Sequence, residues 1–276
     1  MVEVREWSRD DTARLLRVPG PDDDKYSRGV VAVRTGSSAY PGAAVLSVEA
    51  AWRAGAGYVR YLGSASDAVL ARRPETVAAQ DIGRLRPDAW VIGSGTDAAE
   101  RTAEETEALR TVLRGAVPVV VDAGALDLAP GAAAPLVVTP HAGEFRRLRE
   151  RLRLTPDGSG DRAADAAQTA EALGATVLLK GSRTLVASPD GAVIALPQAT
   201  GWLSTAGSGD VLAGVLGALL AANAGASPAD AAAAGAWLHG HAARLAAGVV
   251  NGRAGHPIVA LDVAEALPRA VGDLLP

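Results

Sequence analysis

The chain has 276 residues, 49% hydrophobic and 21% charged, a formal net charge of −4 and no cysteine. A length and composition of this kind suit one globular α/β domain, the mildly acidic balance without a basic block speaks against a nucleic-acid partner, and disulfides, thiol nucleophiles and cysteine-bound metals are excluded. The longest apolar run, Val211–Ala222, falls short of the roughly 20 residues a bilayer span needs, and the charged N-terminus lacks a signal-like apolar core, so a cytoplasmic protein with no membrane contact is the expectation.

In chain order, residues 1–24 read as a leading helix and arm. Short apolar, β-branched runs follow at Val30–Val33, Tyr58–Leu62, Trp90–Ile92, Val117–Val121, Leu136–Val138 and Val177–Leu179, separated by Ala-rich stretches of helical length. Runs without polar alternation mark strands covered on both faces, as in a parallel sheet built from right-handed βαβ units. Asp157-Gly158-Ser159-Gly160 reads as a loop. Thr184–Ala187 and Ala192–Leu196 flank the turn Ser188-Pro189-Asp190-Gly191 and predict a hairpin. Helices are expected over 208–222, 228–247 and 261–272. The whole, 1–276, is read as a single α/β domain.

Several strand ends carry candidate chemistry. Gly36 to Ala44 joins the first main strand to a helix through small residues that permit close approach of a bulky ligand, or simply tight packing. Gly93-Ser94-Gly95 is a second glycine turn after a strand, but the third glycine of a dinucleotide fingerprint is missing. Asp122 ends the next run, as a structural carboxylate or one near a metal. In Thr139-Pro140-His141-Ala142-Gly143-Glu144, His141 is placed to hydrogen-bond a substrate at a strand end and Glu144 to hold Mg²⁺ through water; helix capping is the competing explanation for both. Lys180, ending the run at 177–179, can reach a nucleotide phosphate or remain solvated.

The strongest local signal is Thr205-Ala206-Gly207-Ser208-Gly209-Asp210 ahead of an apolar helix. Free N–H groups and the helix dipole make an anion hole suited to phosphate, beside which Asp210 serves as a catalytic base or merely as an N-cap. His239 and His241 stand two apart on a predicted helix and face different sides, as packing or surface residues. No spacing supports a zinc site.

Taken together, these motifs resemble the ADP- or ATP-dependent NAD(P)H-hydrate dehydratases of the ribokinase-like superfamily. The likeness runs over roughly residues 25–250, through Lys25-Tyr26-Ser27-Arg28-Gly29, Tyr40-Pro41-Gly42-Ala43, Arg53-Ala54-Gly55-Ala56-Gly57, Gly93-Ser94-Gly95, Val121 to Leu126, Thr139 to Glu144, Leu179-Lys180-Gly181 and Thr205 to Gly214. Its most specific pieces are Thr-Pro-His-x-Gly-Glu and Ala-Gly-Ser-Gly-Asp. The resemblance implies a three-layer α/β/α fold with a mostly parallel sheet, and a lyase of metabolite repair that converts hydrated NADH or NADPH, with ADP or ATP as co-substrate and Mg²⁺ as cofactor, into NAD(P)H, AMP or ADP, and phosphate. By the same resemblance Asp210 is the base; Gly207, Ser208 and Gly209 hold the moving phosphate; Lys180, Gly181, Ser182, Arg183 and Thr184 meet the nucleotide; and Ala43, Gly95, His141 and Asp210 meet the hydrate. It also implies a homo-oligomer, a tetramer being one form it could take, and no epimerase activity, since only about 24 residues precede the matching region.

The chain departs from the family pattern at Arg34-Thr35-Gly36-Ser37, where Gly-Gly-Ser is usual, at Ser94 and at Gly124. A small-molecule kinase on the same fold, phosphorylating a vitamin-precursor alcohol, would need the same base and anion hole and is the alternative. A nucleotide sensor without catalysis is a third reading, and it would not need Asp210.

Overall fold

The computed structural model describes residues 2–154, 160–250 and 253–275; most of the loop expected at 157–160 therefore lies outside the described residues. Among them, ten strands form one sheet in the order β1-β10-β9-β8-β7-β6-β5-β2-β3-β4. The central strands are β2 (Val30–Arg34), β5 (Ala89–Ile92), β6 (Val119–Val121), β7 (Leu136–Val138) and β8 (Thr176–Leu179), with β3 (Tyr58–Tyr61) and β4 (Val77–Ala78) beyond β2. On the other flank lies the hairpin of β9 (Leu185–Ala187) and β10 (Val193–Ala195), and β1 (Val4–Glu6) closes that edge. Only β9 runs against its neighbours, and all other pairings are parallel.

The parallel strands are short because both faces are covered. Val120, Val137 and Leu178 enter one apolar core, whereas Val119, Val121, Leu136, Val138, Val177 and Leu179 enter the other, as the two-residue period of a strand requires. The first core is roofed by α2 (Pro41–Arg53), α7 (Ser208–Ala222), α8 (Pro228–Ala246) and α9 (Ala260–Gly272), the second by α4 (Ala103–Leu113), α5 (Ala142–Arg151) and α6 (Arg162–Leu173). This is the expected three-layer α/β/α sandwich. Helix α7 occupies the expected 208–222 and is buried from Val211 to Ala221; no helix among the described residues is long and apolar enough to cross a membrane.

The N-terminal stretch differs from the sequence reading. Residues 4–6 are not a free arm but an edge strand paired with β10, Val4 opposite Val193, before the short α1 (Arg9–Ala13) and the short α3 (Ser66–Arg72) further on. All three residues of β1 are exposed, so no hydrophobic period announces the strand.

Sheet order fixes where a ligand can sit. From β2 the chain moves outward through β3 and β4, returns to β5 on the opposite side of β2, and then proceeds through β6, β7 and β8. The crevice at the carboxyl ends of β2 and β5 is thus the topological switch point, where open α/β sheets bind ligands.

Candidate active site

Four adjacent strands are each followed by a polar residue, and these form a row along the carboxyl edge: Asp122, Thr139 and Lys180 directly after β6, β7 and β8, and Ser94 one glycine beyond β5. The row converges on Asp122. Ser94 Oγ donates to Asp122 Oδ2 at 2.9 Å, Thr139 Oγ1 to Oδ1 at 2.7 Å, and Lys180 Nζ to Oδ1 at 2.8 Å. Glu144 Oε2 lies 4.0 Å from the same ammonium. Burial works against the Lys180 charge, but the carboxylates of Asp122, Glu144 and Asp210 outweigh it and raise its pKa, so Lys180 is a fixed cation.

Across from this row α7 begins. Its N-cap is Gly207, in the left-handed conformation at φ 84°, which L residues adopt only with strain. Asp210 stands in the first turn and caps nothing, so the N-cap explanation of this residue is ruled out. A Cβ built on Gly207 would lie 3.7 Å from Asp210 Oδ2, and one on Gly209 3.4 Å from Lys180 Nζ. The glycine loop therefore runs between the carboxylate and the ammonium with its N–H groups at a helix start. Asp210 has its pKa raised to about 6, through burial first and the negative charge of Asp122 second, with Lys180 pulling the other way. A carboxylate with these properties is a competent base near neutral pH.

Behind the loop, His239 of α8 is buried beside the Ser208 backbone, its Nε2 without a partner. Burial, reinforced by the Lys180 charge, lowers its pKa to about 4, leaving it neutral. It is an interior residue, whereas His241 packs on Trp237 and pairs with Asp273 at 3.1 Å.

The crevice between β2 and β5 is floored by glycines. Gly36 (φ 76°) and Gly95 (φ 67°) hold positive φ, and a Cβ on Gly95 would come within 2.3 Å of the Ala43 Cβ, one on Gly36 within 2.8 Å of the Ala44 Cβ. The start of α2 thus rests directly on the two strand ends, bringing Ala43 and Gly95 together. Leu46, on the same helix, approaches Gly207: a Cβ there would be 2.6 Å from its Cδ1. Helix α2 so links the crevice to the phosphate loop.

Other predicted residues serve local structure. His141 is the N-cap of α5: its Nδ1 accepts from Gly143 N–H at 3.0 Å, while Glu144 Oε2 accepts from His141 N–H at 2.9 Å. This is the capping box that competed with function for both residues. With Nδ1 accepting, the ring proton sits on Nε2, which faces Glu144 Oε1 at 3.4 Å. Gly181 abuts the Arg162 guanidinium, and Arg183 turns to Glu6 at the sheet edge rather than toward the glycine loop. A cleft of about 380 Å³ opens alongside Glu144, lined among others by Thr96, Gly124, Asp127 and Arg147.

The convergence of Ser94, Thr139 and Lys180 on Asp122 was not foreseen. Its signal was in the sequence: a polar residue immediately follows the runs ending at Val121, Val138 and Leu179, and Ser94 follows Ile92 after a single glycine.

The fold is shared with a ribokinase-like superfamily protein of Enterococcus faecalis, at a TM-score of 0.84 and 23% identity over 99% of this chain and 96% of that one. A sequence model described as NAD(P)H-hydrate dehydratase matches residues 31–259. The chain belongs to the NAD(P)H-hydrate dehydratase family. It is 48% identical over 227 residues to the bifunctional NAD(P)H-hydrate repair enzyme Nnr of Mycobacterium tuberculosis, covering 79% of this chain and 46% of that protein. It is 38% identical over 257 residues to the ADP-dependent (S)-NAD(P)H-hydrate dehydratase of Neisseria meningitidis, covering 86% of this chain and 85% of that one. The crystal structure of the Bacillus subtilis ADP/ATP-dependent NAD(P)H-hydrate dehydratase, co-crystallised with ATP/Mg²⁺, superposes with a TM-score of 0.83 at 28% identity over 98% of this chain and 99% of that one. The chain thus spans about half the length of the bifunctional relatives it matches.

Proposed function

We propose that this chain catalyses the ADP- or ATP-dependent dehydration of hydrated NADH and NADPH, returning the reduced cofactor, AMP or ADP, and phosphate. The observation that carries this reading is Asp210, a base of raised pKa poised over a glycine loop whose far side meets the fixed Lys180 cation. In the reaction the ring hydroxyl of the hydrate gives its proton to Asp210 as its oxygen bonds to the terminal phosphorus, and the bond from that phosphorus to the nucleotide's bridging oxygen breaks. The N–H groups of Gly207, Ser208 and Gly209 and the Lys180 ammonium balance charge on the moving phosphoryl group. The ring nitrogen then expels phosphate, and loss of a proton from the adjacent ring carbon to the departing phosphate or to water leaves the dihydronicotinamide. In this reading Ala43, Gly95 and His141 meet the hydrate, while Lys180, Gly181, Ser182 and Thr184 of the β8–β9 connection meet the nucleotide, which Arg183 would reach only by leaving Glu6.

Mg²⁺ fits this site as a partner of the nucleotide rather than a resident ion. Among the described residues no group of three His, Cys, Asp or Glu side chains forms a cage, and Mg²⁺ ordinarily needs only one or two carboxylates beside phosphate and water. Glu144, with Oε1 free of the capping box, would hold it through water, and its role would be to screen phosphate charge.

The test is incubation with hydrated NADH, Mg²⁺ and ADP or ATP, followed at the reduced-nicotinamide absorbance band with phosphate release measured in parallel. Recovery of absorbance with one phosphate released per turnover supports the proposal; a stable phosphate ester without recovered absorbance makes the chain a kinase instead. The same reading locates the enzyme in the cytoplasm, as an assembly of several copies that light scattering would count.

A further inference from the structure

The buried residues of α2 are Ala43, Ala44, Ser47, Val48, Glu49, Ala50 and Ala51. Tyr40 is the N-cap of that helix, with non-helical backbone angles of φ −131° and ψ 58°. It stands one turn before Ala44, beside the β2–β5 crevice, and is 61% exposed.

Its backbone is nonetheless fixed. The Tyr40 N–H donates to Ser37 O at 3.1 Å and lies 3.2 Å from Ser37 Oγ, and its carbonyl accepts from Ala43 N–H at 3.3 Å. The same carbonyl is packed on both floor glycines: Cβ atoms built on Gly36 and Gly95 would lie 3.4 and 3.2 Å from it. Of the four tyrosines, Tyr26 and Tyr58 stack on each other at 5.9 Å and Tyr61 donates to Thr35 O at 2.7 Å. Tyr40 alone has neither a ring partner nor a hydroxyl partner among the described residues. A rigid backbone that offers an unpartnered ring at the mouth of a site is a preorganised contact, whose ordering cost is met before the ligand arrives.

We propose that Tyr40 is the stacking platform for a flat ring of the dinucleotide substrate in the β2–β5 crevice. It lies on the hydrate's side because Leu46, farther down the same helix, meets the Gly207 end of the loop, whereas the nucleotide's side is marked by Lys180 against Gly209. From Leu46 to Tyr40 is about 9 Å along the helix axis at 1.5 Å per residue, so a dinucleotide whose reacting ring reaches Asp210 extends past Tyr40. This inference rests on the proposed dehydratase activity and names a specificity residue for it.

The test compares wild type, Tyr40→Ala and Tyr40→Phe with hydrated NADH and with the hydrate of reduced nicotinamide mononucleotide, which lacks adenine. Tyr40→Ala should raise the KM for hydrated NADH by about 10-fold or more, the effect of losing one base–aromatic stack, with the KM for ADP or ATP unchanged and kcat within about two-fold. Tyr40→Phe should behave as wild type. An equal penalty on the mononucleotide hydrate assigns the stack to the nicotinamide half, and a penalty confined to the dinucleotide assigns it to adenine. An unchanged KM for both substrates in Tyr40→Ala, or a Tyr40→Phe as damaged as Tyr40→Ala, overturns the inference. If wild type fails to turn over either hydrate, the activity proposal has failed, and fluorescence titration with NADH still decides for Tyr40: the alanine variant must bind it more weakly.

Discussion

Two carboxylates on neighbouring helices, Glu49 of α2 and Asp210 of α7, sit in opposite electrostatic condition. Glu49, near the far end of α2, is completely covered, and Arg53, Arg72 and Arg73 all converge on it. Burial resists its charge, but the arginines, led by Arg73, outweigh that resistance and lower its pKa. Asp210, at the start of α7, is buried beside another negative charge with one lysine to offset both, and its pKa rises to about 6. The carboxylate that ties α2 to the end of α3 is given cations in excess; the one proposed as the base is left short of them.

Replacing the working carboxylate should give the largest effect. Asp210→Asn is expected to lower kcat by about 10²- to 10⁴-fold, the usual worth of a general base, while calorimetry still registers nucleotide binding at the glycine loop. Glu49→Gln should do the reverse: about 2–4 kcal/mol of stability is lost, because three guanidinium groups lose their common partner, and kinetic constants of the folded enzyme stay as they were. If both variants damaged turnover alike, the contrast between the two carboxylates would be false.

Gly95→Ala lies between these extremes. Its Cβ would enter the space of the Ala43 Cβ at a positive φ, and a cost of about 1–3 kcal/mol should come with a raised KM for the hydrate, read in the same assay.

Smaller effects follow from pH. Because Asp210 must be ionised to act, kcat/KM should climb with a limb near pH 6. In Asp122→Asn the neighbouring negative charge is gone and Lys180 is freed to favour the Asp210 carboxylate, so the limb should move to lower pH. The smallest effect is on stability. Asp210 holds its proton more tightly in the folded chain (pKa about 6) than an ordinary aspartate does, so its contribution to stability falls as pH rises through that window and stays lost above it. Asp210→Asn should therefore melt a few degrees higher than wild type at pH 7.5, about 1–2 kcal/mol after solvent screening, and equally below pH 4.

Much of the architecture could be read from residues alone, because the parallel strands are continuous apolar runs and α7 is an unbroken apolar helix behind Gly-Ser-Gly-Asp. The hairpin was legible from Ser188-Pro189-Asp190-Gly191, and its register matches, Ala187 opposite Val193. What stayed hidden was whatever depends on lateral order. Asp122, Thr139 and Lys180 lie 17 and 58 residues from one another along the chain, counted from Asp122, and become neighbours only once β6, β7 and β8 are known to be adjacent. His141 was ambiguous for a different reason: a strand-end histidine before a helix satisfies the pattern of a ligand contact and of a cap equally well, and here the cap geometry is realised. β1 was missed because three exposed residues carry no period at all.

That edge strand has a bearing on how the chain is made. Val4 pairs with Val193, so β1 is synthesised long before its partner exists. Until the two meet, β10 presents an open row of amide and carbonyl groups, the kind of edge that recruits strands from other chains. The short β1 is therefore a late-closing seal, and deleting it would show itself first as aggregation during expression rather than as a loss of catalysis.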